Sequence, residues 1–547
     1  MTTTTTWVGA PANLPTVVRE LERDQVNEQN FSKSTLRLYY DRPVQAYAST
    51  SIAFVYEMTA FDQLGTIGFN LSRQVIDAGA AFICRPLRAK VLPVGADFET
   101  QRAAKKLSRL VDGVMDTTGF LDLATQAYID AATTSFGPMR WYVDERTSEI
   151  KCERVDPLSV FYHYDEGRDP IHLYVKSAVP RVALSARFPD HSGAISLLPS
   201  YEPQRVIGVE PGGVRTSDTV ATYEGWRIRL GDQEGRHVIA CDNGTVLVDE
   251  PWEYDFHPIV SFRWAREFRS YGGVSLGRVV APYHLWLNQL ITNVKDSLDG
   301  AVPWVLVHED ADVKNVGDIP FQRVDWSGST PPQVIVPNPV SPQVLSQIDA
   351  IYRRVFEEAG ISQQAASGAR PAGLNSAPAQ REWIDIVNLR MLLQQRAWEN
   401  LHKDSARIIV ALAAKAYKNK GARVRAPGSA FLEEIRWGDI KLKEDQYLME
   451  FGLASGLSLT VSGRLEQLEM LRQSGAIDTA DMLRHIDLPD VTALSDRINA
   501  PRDLAEKQVA MCLEDGIPQV PSAMQPLDPL LSIATQEYQR ALLAGTY

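Results

Sequence analysis

Residues 379–418 contain neither glycine nor proline. Within them, positions 384, 387, 391, 394, 398, 401, 405, 408 and 412 alternate three and four apart. They read Ile, Val, Met, Gln, Trp, Leu, Ser, Ile and Leu, seven of nine apolar. That spacing is one face of an α-helix, and at ~1.5 Å per residue a helix over the whole stretch would reach about 60 Å. The average helix of a compact domain is nearer three turns, so the stretch is expected to be a strut crossing a large object. The chain has 547 residues, enough for about three to four domains and for a core that needs neither disulfide nor metal.

The segment before the rod is its opposite. Residues 360–378 hold Gly360, Gly368, Gly373, Pro371 and Pro378, many Ala, Ser and Gln, and a single charge, Arg370, which predicts a flexible loop. Further upstream, Tyr283, Leu287, Leu290, Val294 and Leu298 share a helical face over 275–299. Pro282 suits the first turn of that helix. Strand-like Trp304–Val307, Phe321–Val324 and Val334–Val336 follow, and 327–342 is too rich in Pro and Ser to be helical. Ser341 and Pro342 then read as an N-cap and first-turn proline of a second helix over 342–359. A small β-type insertion, 300–341, therefore separates two helices.

The first half changes period repeatedly. Residues 70–77 predict a helix and 90–94 a strand. Residues 98–134 carry helical spacing through Ala104, Leu107, Leu110, Val111, Val114, Leu121, Ala124, Ala127 and Tyr128. Segments 139–144 and 148–155 predict a hairpin, with further strand signals at 158–164, 171–176, 219–230, 235–248 and 258–265. A mixed α/β body over 31–274 results. Before it, 1–30 reads as a flexible polar arm headed by the run Thr2–Thr6. After the rod, helices are expected at 443–455, 462–474, 478–485 and 500–514, ahead of a loosely attached, Pro-rich tail over 517–547.

Hydrophobic residues at 44% and charged residues at 23% exclude wholesale disorder. A net charge of −12 makes the chain a poor candidate for gripping DNA phosphates over its whole surface, though a polyanion can slide past such a surface. The four cysteines, Cys84, Cys152, Cys241 and Cys512, form no CxxC pair, which argues against a zinc ribbon and for a reducing compartment. Met1 to Trp7 shows no secretory pattern, and no run of about 18 apolar residues suggests a membrane span. A soluble protein made in the cytoplasm is the expectation.

Chemistry-bearing motifs are few. Gly273-Val274-Ser275-Leu276-Gly277 matches GxSxG between a strand signal and a helix, the setting of a nucleophile elbow. His284, His308, His402 and His485 lie downstream, yet no acid motif or HGG-type oxyanion segment accompanies them. A turn with Ser275 as helix N-cap is the simpler reading; a serine hydrolase using Ser275 is the alternative. The nine histidines show no HExxH or clustered spacing, so no metal site and no cofactor are expected. No GxxxxGK[ST] is present, so any motor belongs to a partner. Arg381, Arg390, Arg396, Lys403, Arg407, Lys415, Lys418 and Lys420 read as a solvated face or inter-subunit salt bridges, with a stripe touching nucleic acid as the alternative, and Trp383 and Trp398 as core or interface aromatics. Asp144, Glu145, Glu149, Glu153 and Asp156 read as the wet face of the hairpin.

The order of these parts resembles the portal (head-to-tail connector) proteins of tailed bacteriophages. Three segments carry the resemblance: Ala131 to Val143 with Ile150 to Leu158, including Phe136-Gly137 and Glu153-Arg154-Val155-Asp156-Pro157; helix, β insertion and helix over 275–359; and Gly373-Leu374-Asn375-Ser376 running into the long helix. Together they span about 70–540.

The resemblance implies a non-enzymatic α+β subunit of a ring, usually dodecameric, at one vertex of a virion capsid assembled in the host cytoplasm. Residues 31–274 would be the α/β wing, 275–299 and 342–359 the two-helix stem, and 300–341 the clip. Residues 360–378 would be the channel loop, 379–420 the long wing helix, 421–516 a helical crown and 517–547 the tail. Implied partners are other copies of the chain, double-stranded DNA in the channel, a terminase, tail adaptor proteins, and capsid and scaffolding proteins, with no membrane. Gln363, Gln364, Arg370, Leu374 and Asn375 are the candidate lumen-facing loop residues, and Lys295, Arg353 and Arg354 the stem residues expected to meet phosphates. No catalytic residue is implied, and a structural scaffold without a channel is a further alternative to the ring.

Overall fold

The computed structural model describes residues 7–40, 69–94, 98–201 (apart from 145 and 168), 218–267, 271–299 and 341–361. It further describes 304–306, 312–314, 325–328 and 333–335. Beyond them it describes 390–418, 421–425, 432–440, 442, 446–453, 468–474, scattered residues from 482 to 520, and 521–544. The protein is of mixed α+β class.

The elements run in the order α1 (Leu14–Asp24), α2 (Val26–Tyr39), α3 (Leu71–Ile83), β1 (Leu87–Pro93), α4 (Phe98–Thr117), α5 (Phe120–Thr133), β2 (Gly137–Asp144), β3 (Glu149–Arg154), β4 (Val160–Tyr162) and β5 (His172–Pro180). Next come α6 (Arg181–Arg187), α7 (Ser192–Ser196), β6 (Thr219–Arg227), β7 (Gly235–Cys241), β8 (Val246–Trp252), β9 (Ile259–Phe262), β10 (Ala265–Arg266), β11 (Gly273–Val274) and α8 (Leu276–Asp299). The strands β12 (Trp304–Leu306), β13 (Asp312–Lys314), β14 (Asp325–Ser327) and β15 (Gln333–Ile335) precede α9 (Pro342–Ala359) and α10 (Leu392–Ala416). Finally come β16 (Ala422–Arg425), β17 (Leu432–Ile435), β18 (Tyr447–Leu453) and α11 (Leu527–Ala544).

An antiparallel sheet in the order β4-β5-β6-β7-β8 forms one unit. Alternation sends Phe161, Tyr174, Ala221, Tyr223, Val238 and Ala240 to one face. Val160, Tyr162, Leu173, Val175 and Trp226 go to the other, against Phe136, Val155, Ile259 and Tyr271. The first face is covered by Trp7 and α1. This corrects the flexible arm expected over 1–30. Leu14, Val17, Val18 and Leu21 make an i, i+3, i+4, i+7 stripe, and Trp7 is 2% exposed. The stripe is easily overlooked because polar residues surround it.

The principal core joins α3, α4, α5, the β3-β2-β9 sheet, α8, α9, α10 and β16 to β18. The hairpin expected at 139–155 forms, with Met139 opposite Arg154 and Asp144 opposite Glu149. It lies directly on α5: a Cβ at Gly137 would stand 1.7 Å from the Ala127 carbonyl oxygen, so only glycine permits this approach. The Trp398 ring of α10 meets Phe262, and its Nε1–H donates to the Arg85 carbonyl at 2.9 Å. Trp398 is therefore a core aromatic, and Trp383 lies outside the described residues.

Four expectations about the second half need correction. The rod is shorter than 379–420: α10 runs from Leu392 to Ala416, about 37 Å. Met391 leaves helical geometry at φ −98°, ψ 10°, Tyr417 leaves it at φ −106°, ψ 24°, and residues 379–389 lie outside the described set. The helix expected at 443–455 is a strand. β18 pairs antiparallel with β1, Val91 opposite Met449; Tyr447, Met449 and Phe451 turn inward while Leu448, Glu450 and Gly452 are exposed, a period of two. With the hairpin of β16 and β17, the front of the expected helical crown is thus β structure, whereas the described residues of 468–473 and 500–512 are helical. The tail over 517–547 contains a helix, α11, whose Leu527 and Leu531 are exposed. Last, Pro282 is not in the first turn of its helix but six residues beyond its start, because Ser275 rather than a later residue caps it.

Candidate functional site

The helices expected over 275–299 and 342–359 form, as α8 and α9, and pack together. The Tyr283 hydroxyl near the start of α8 donates to Glu358 Oε1 at the end of α9, at 2.7 Å, so the helices run antiparallel. Leu287, Ile351, Val355 and Phe356 are buried between them and the core. The start of α9 is as the sequence dictates: the Ser341 side chain accepts from Gln343 N–H with Pro342 at the first position. Its end is a left-handed glycine, Gly360 at φ 74°, with Ile361 N–H returning to the Phe356 carbonyl at 3.0 Å. Ile361 itself is buried, which pins the first residue after Gly360 in the expected channel loop to the core.

Between the helices lie two antiparallel strand pairs. Trp304–Leu306 pairs with Gln333–Ile335, and inside it Asp312–Lys314 pairs with Asp325–Ser327. The nesting brings the end of α8 and the start of α9 back to one place. Asp325–Ser327 directly follows the strand expected at 321–324, which lies outside the described residues.

A polar anchor that sequence reasoning missed holds α8 to the segment before α3. Asn288 Oδ1 accepts from Phe69 N–H at 2.8 Å, and its Nδ2–H donates to the Phe69 carbonyl at 3.2 Å. One turn earlier, His284 Nδ1 accepts from the backbone N–H and hydroxyl of Ser72, so its proton sits on Nε2. Burial pushes the His284 imidazole down to about 4, which keeps it neutral. The signal was present in the sequence: His284 and Asn288 are polar residues four apart, flanking Leu287 on an apolar stripe.

The proposed phosphate-meeting residues are distributed unevenly. Arg353 and Arg354 are exposed on α9, and Lys295 is half-buried on α8. Arg354 Nε lies 3.2 Å from Glu358 Oε1, an exposed i,i+4 pair of the kind that contributes little to stability. The Tyr283 hydroxyl, then Arg354, hold the Glu358 carboxyl below its ordinary range. Gln363, Gln364, Arg370, Leu374 and Asn375 lie outside the described residues.

Ser275 is 2% exposed, and its Oγ accepts from Arg278 N–H at 3.2 Å. The hydroxyl is used as the cap of α8, whereas a nucleophile elbow presents its serine at the surface. On α10, Arg407 pairs with Asp255 at 2.9 Å, and just before that helix Arg390 donates to the Glu357 carbonyl, so these two cations serve intramolecular contacts. Among the described acidic residues of the hairpin, Asp144 pairs with Lys151 at 2.6 Å, and Asp156 accepts from Leu158 N–H in a turn of its own.

No protein-family model matches the chain, and no curated protein is significantly similar to it. Among the described residues no helix is long and apolar enough to cross a membrane.

Proposed function

We propose that the chain is the non-enzymatic subunit of a portal ring, a conduit through which double-stranded DNA enters a capsid during packaging and leaves at ejection. The observation that carries this reading is the unit from Ser275 to Ile361: an antiparallel helix pair, anchored at one end by His284 and Asn288, with nested strand pairs at the other end. Such a unit is a lever with a β tip. In a ring the helices would form the stem, and the tip would be the clip that docks first a terminase and later tail adaptors. The segment after Gly360 would line the bore.

Two further features support assembly. Val279, Trp286, Leu298 and Leu345 are exposed apolar residues on the stem helices, and Leu393 at the start of α10 is 72% exposed. A face of this kind gains by burial against a neighbour, and ring closure gives every copy the same neighbour. The negative balance of the chain suits a conduit, because each neutralised phosphate adds affinity that would slow passage.

Deleting residues 367–375 tests the reading. The shortened chain is expected to assemble as the full chain does, yet to lose packaged DNA in a packaging assay. Unchanged DNA retention by assembled rings of the deleted chain would contradict the proposal.

A further inference from the structure

We propose that His163, Glu166 and His172 form a binding site for a borderline divalent cation of the zinc class. This site lies apart from the stem and does not depend on the ring reading. His163 directly follows β4, Glu166 ends a single 3-10 turn (Tyr164–Glu166), and His172 opens β5. The connection between two paired strands thus folds back on itself and brings together residues spaced three and six apart. One ligand atom from each side chain lies within 4.8 Å of the others, and all three residues are half-buried. A tetrahedral zinc with bonds of ~2.0–2.2 Å places its ligand atoms roughly 3.3–3.6 Å apart, so side-chain shifts of about 1 Å, closing the wider gaps and opening the 2.5 Å contact between Glu166 Oε1 and His172 Nδ1, would form the set.

The surroundings orient the ligands as outer partners do in metal sites. His163 Nε2 lies 2.9 Å from the Tyr174 hydroxyl, and the Trp7 indole N–H donates to the same hydroxyl at 2.9 Å. Tyr174 and Trp7 are buried, so this end of the His163 ring is fixed and Nδ1 remains for a ligand. The His172 backbone N–H donates to Glu166 Oε2 at 2.8 Å, while Oε1 lies 2.5 Å from His172 Nδ1. The His172 ring is stacked on Tyr174 at 6° and meets Trp7 edge-on. Two imidazoles and one carboxylate are a donor set for zinc and its neighbours, whereas magnesium and calcium prefer oxygen throughout. A water would complete the coordination on the half-open side. Bound metal would tie the β4–β5 connection to Tyr174 and, through it, to Trp7 and the N-terminal segment on the sheet.

The test uses the untagged full chain, stripped with a chelator and dialysed. Titration with Co2+, followed by its visible absorption, and with Zn2+, followed by calorimetry, is expected to show one tight equivalent per chain. Zn2+ is expected to raise the melting temperature and excess Mg2+ not to compete. His172→Ala should abolish this equivalent. The near-isosteric Glu166→Gln, which keeps the fold even if His172→Ala does not, should weaken it at least tenfold. Tyr174→Phe should weaken it about tenfold, as loss of an outer partner does. Absence of a tight equivalent in the wild-type chain, or its persistence undiminished in Glu166→Gln, would overturn the proposal.

Discussion

His284 and His402 are buried and His257 is half-buried, and loss of solvent pushes all three imidazoles down to about 4. His402 sits among Phe120, Trp398 and Phe451, with Nδ1–H donating to the Trp398 carbonyl at 2.8 Å. In the unfolded chain such rings titrate near 6.5. Between these values the unfolded state binds more protons, so stability is flat above about 6.5 and falls as pH drops towards 4, by on the order of 2–3 kcal/mol per group. His237 has the opposite sign. Burial opposes its charge, but Glu224 and Glu250, each 2.7 Å from a ring nitrogen, outweigh it and raise its pKa. Its contribution is present below about 6.5 and is lost as pH rises through its folded value. Melting curves from pH 7 to 4.5 should therefore show a falling midpoint, and His402→Phe should make that fall shallower. An equal slope in the variant would refute the assignment. The same cluster sets a second expectation. Glu224 on β6 takes two 2.8 Å bonds from Arg140 on β2 and so joins the two main sheets. Glu224→Ala strands Arg140 and His237 and should cost roughly 3–5 kcal/mol, measurable by denaturant unfolding.

Elements whose signals are local were legible before the structure. The Ser341-Pro342 start of α9, the helical face of α8 and the hairpin at 137–154 each follow from residues within a few positions of one another. Elements decided by distant partners were not. Residues 447–453 are strand because β1 offers them an edge more than 350 residues away in sequence, and α1 is ordered because the sheet from β4 to β8 presents it an apolar face. The end of α10 is set by Tyr417, whose hydroxyl accepts from Ile150 N–H at 3.4 Å. The anchor at His284 and the convergence of His163, Glu166 and His172 were hidden for a related reason: each depends on where a turn or a distant segment places its neighbour. Gly137 tests the packing of element on element. Gly137→Ala forces α5 and β2 apart and should lower stability by at least the roughly 1–3 kcal/mol of an overpacked core; a melting temperature equal to that of the unsubstituted chain would contradict the packing described.

Taken as one body, the protein carries an antiparallel helix pair, α8 and α9, whose base is locked into the principal core and whose two helices are joined through β structure. The apolar residues Val279, Trp286 and Leu345 of this pair are exposed in the single chain. They find a partner in a second copy under the proposed assembly, and the segment after Gly360 then faces an axis. Self-association and a central opening are therefore consequences of one arrangement. Electron microscopy of the purified full-length chain, with three-dimensional reconstruction of its particles, reads both together. A closed ring is expected, bored along its axis, with residues 362–378 at the narrowest part of the bore. A monomer under all conditions, or a particle with no axial opening, would contradict it.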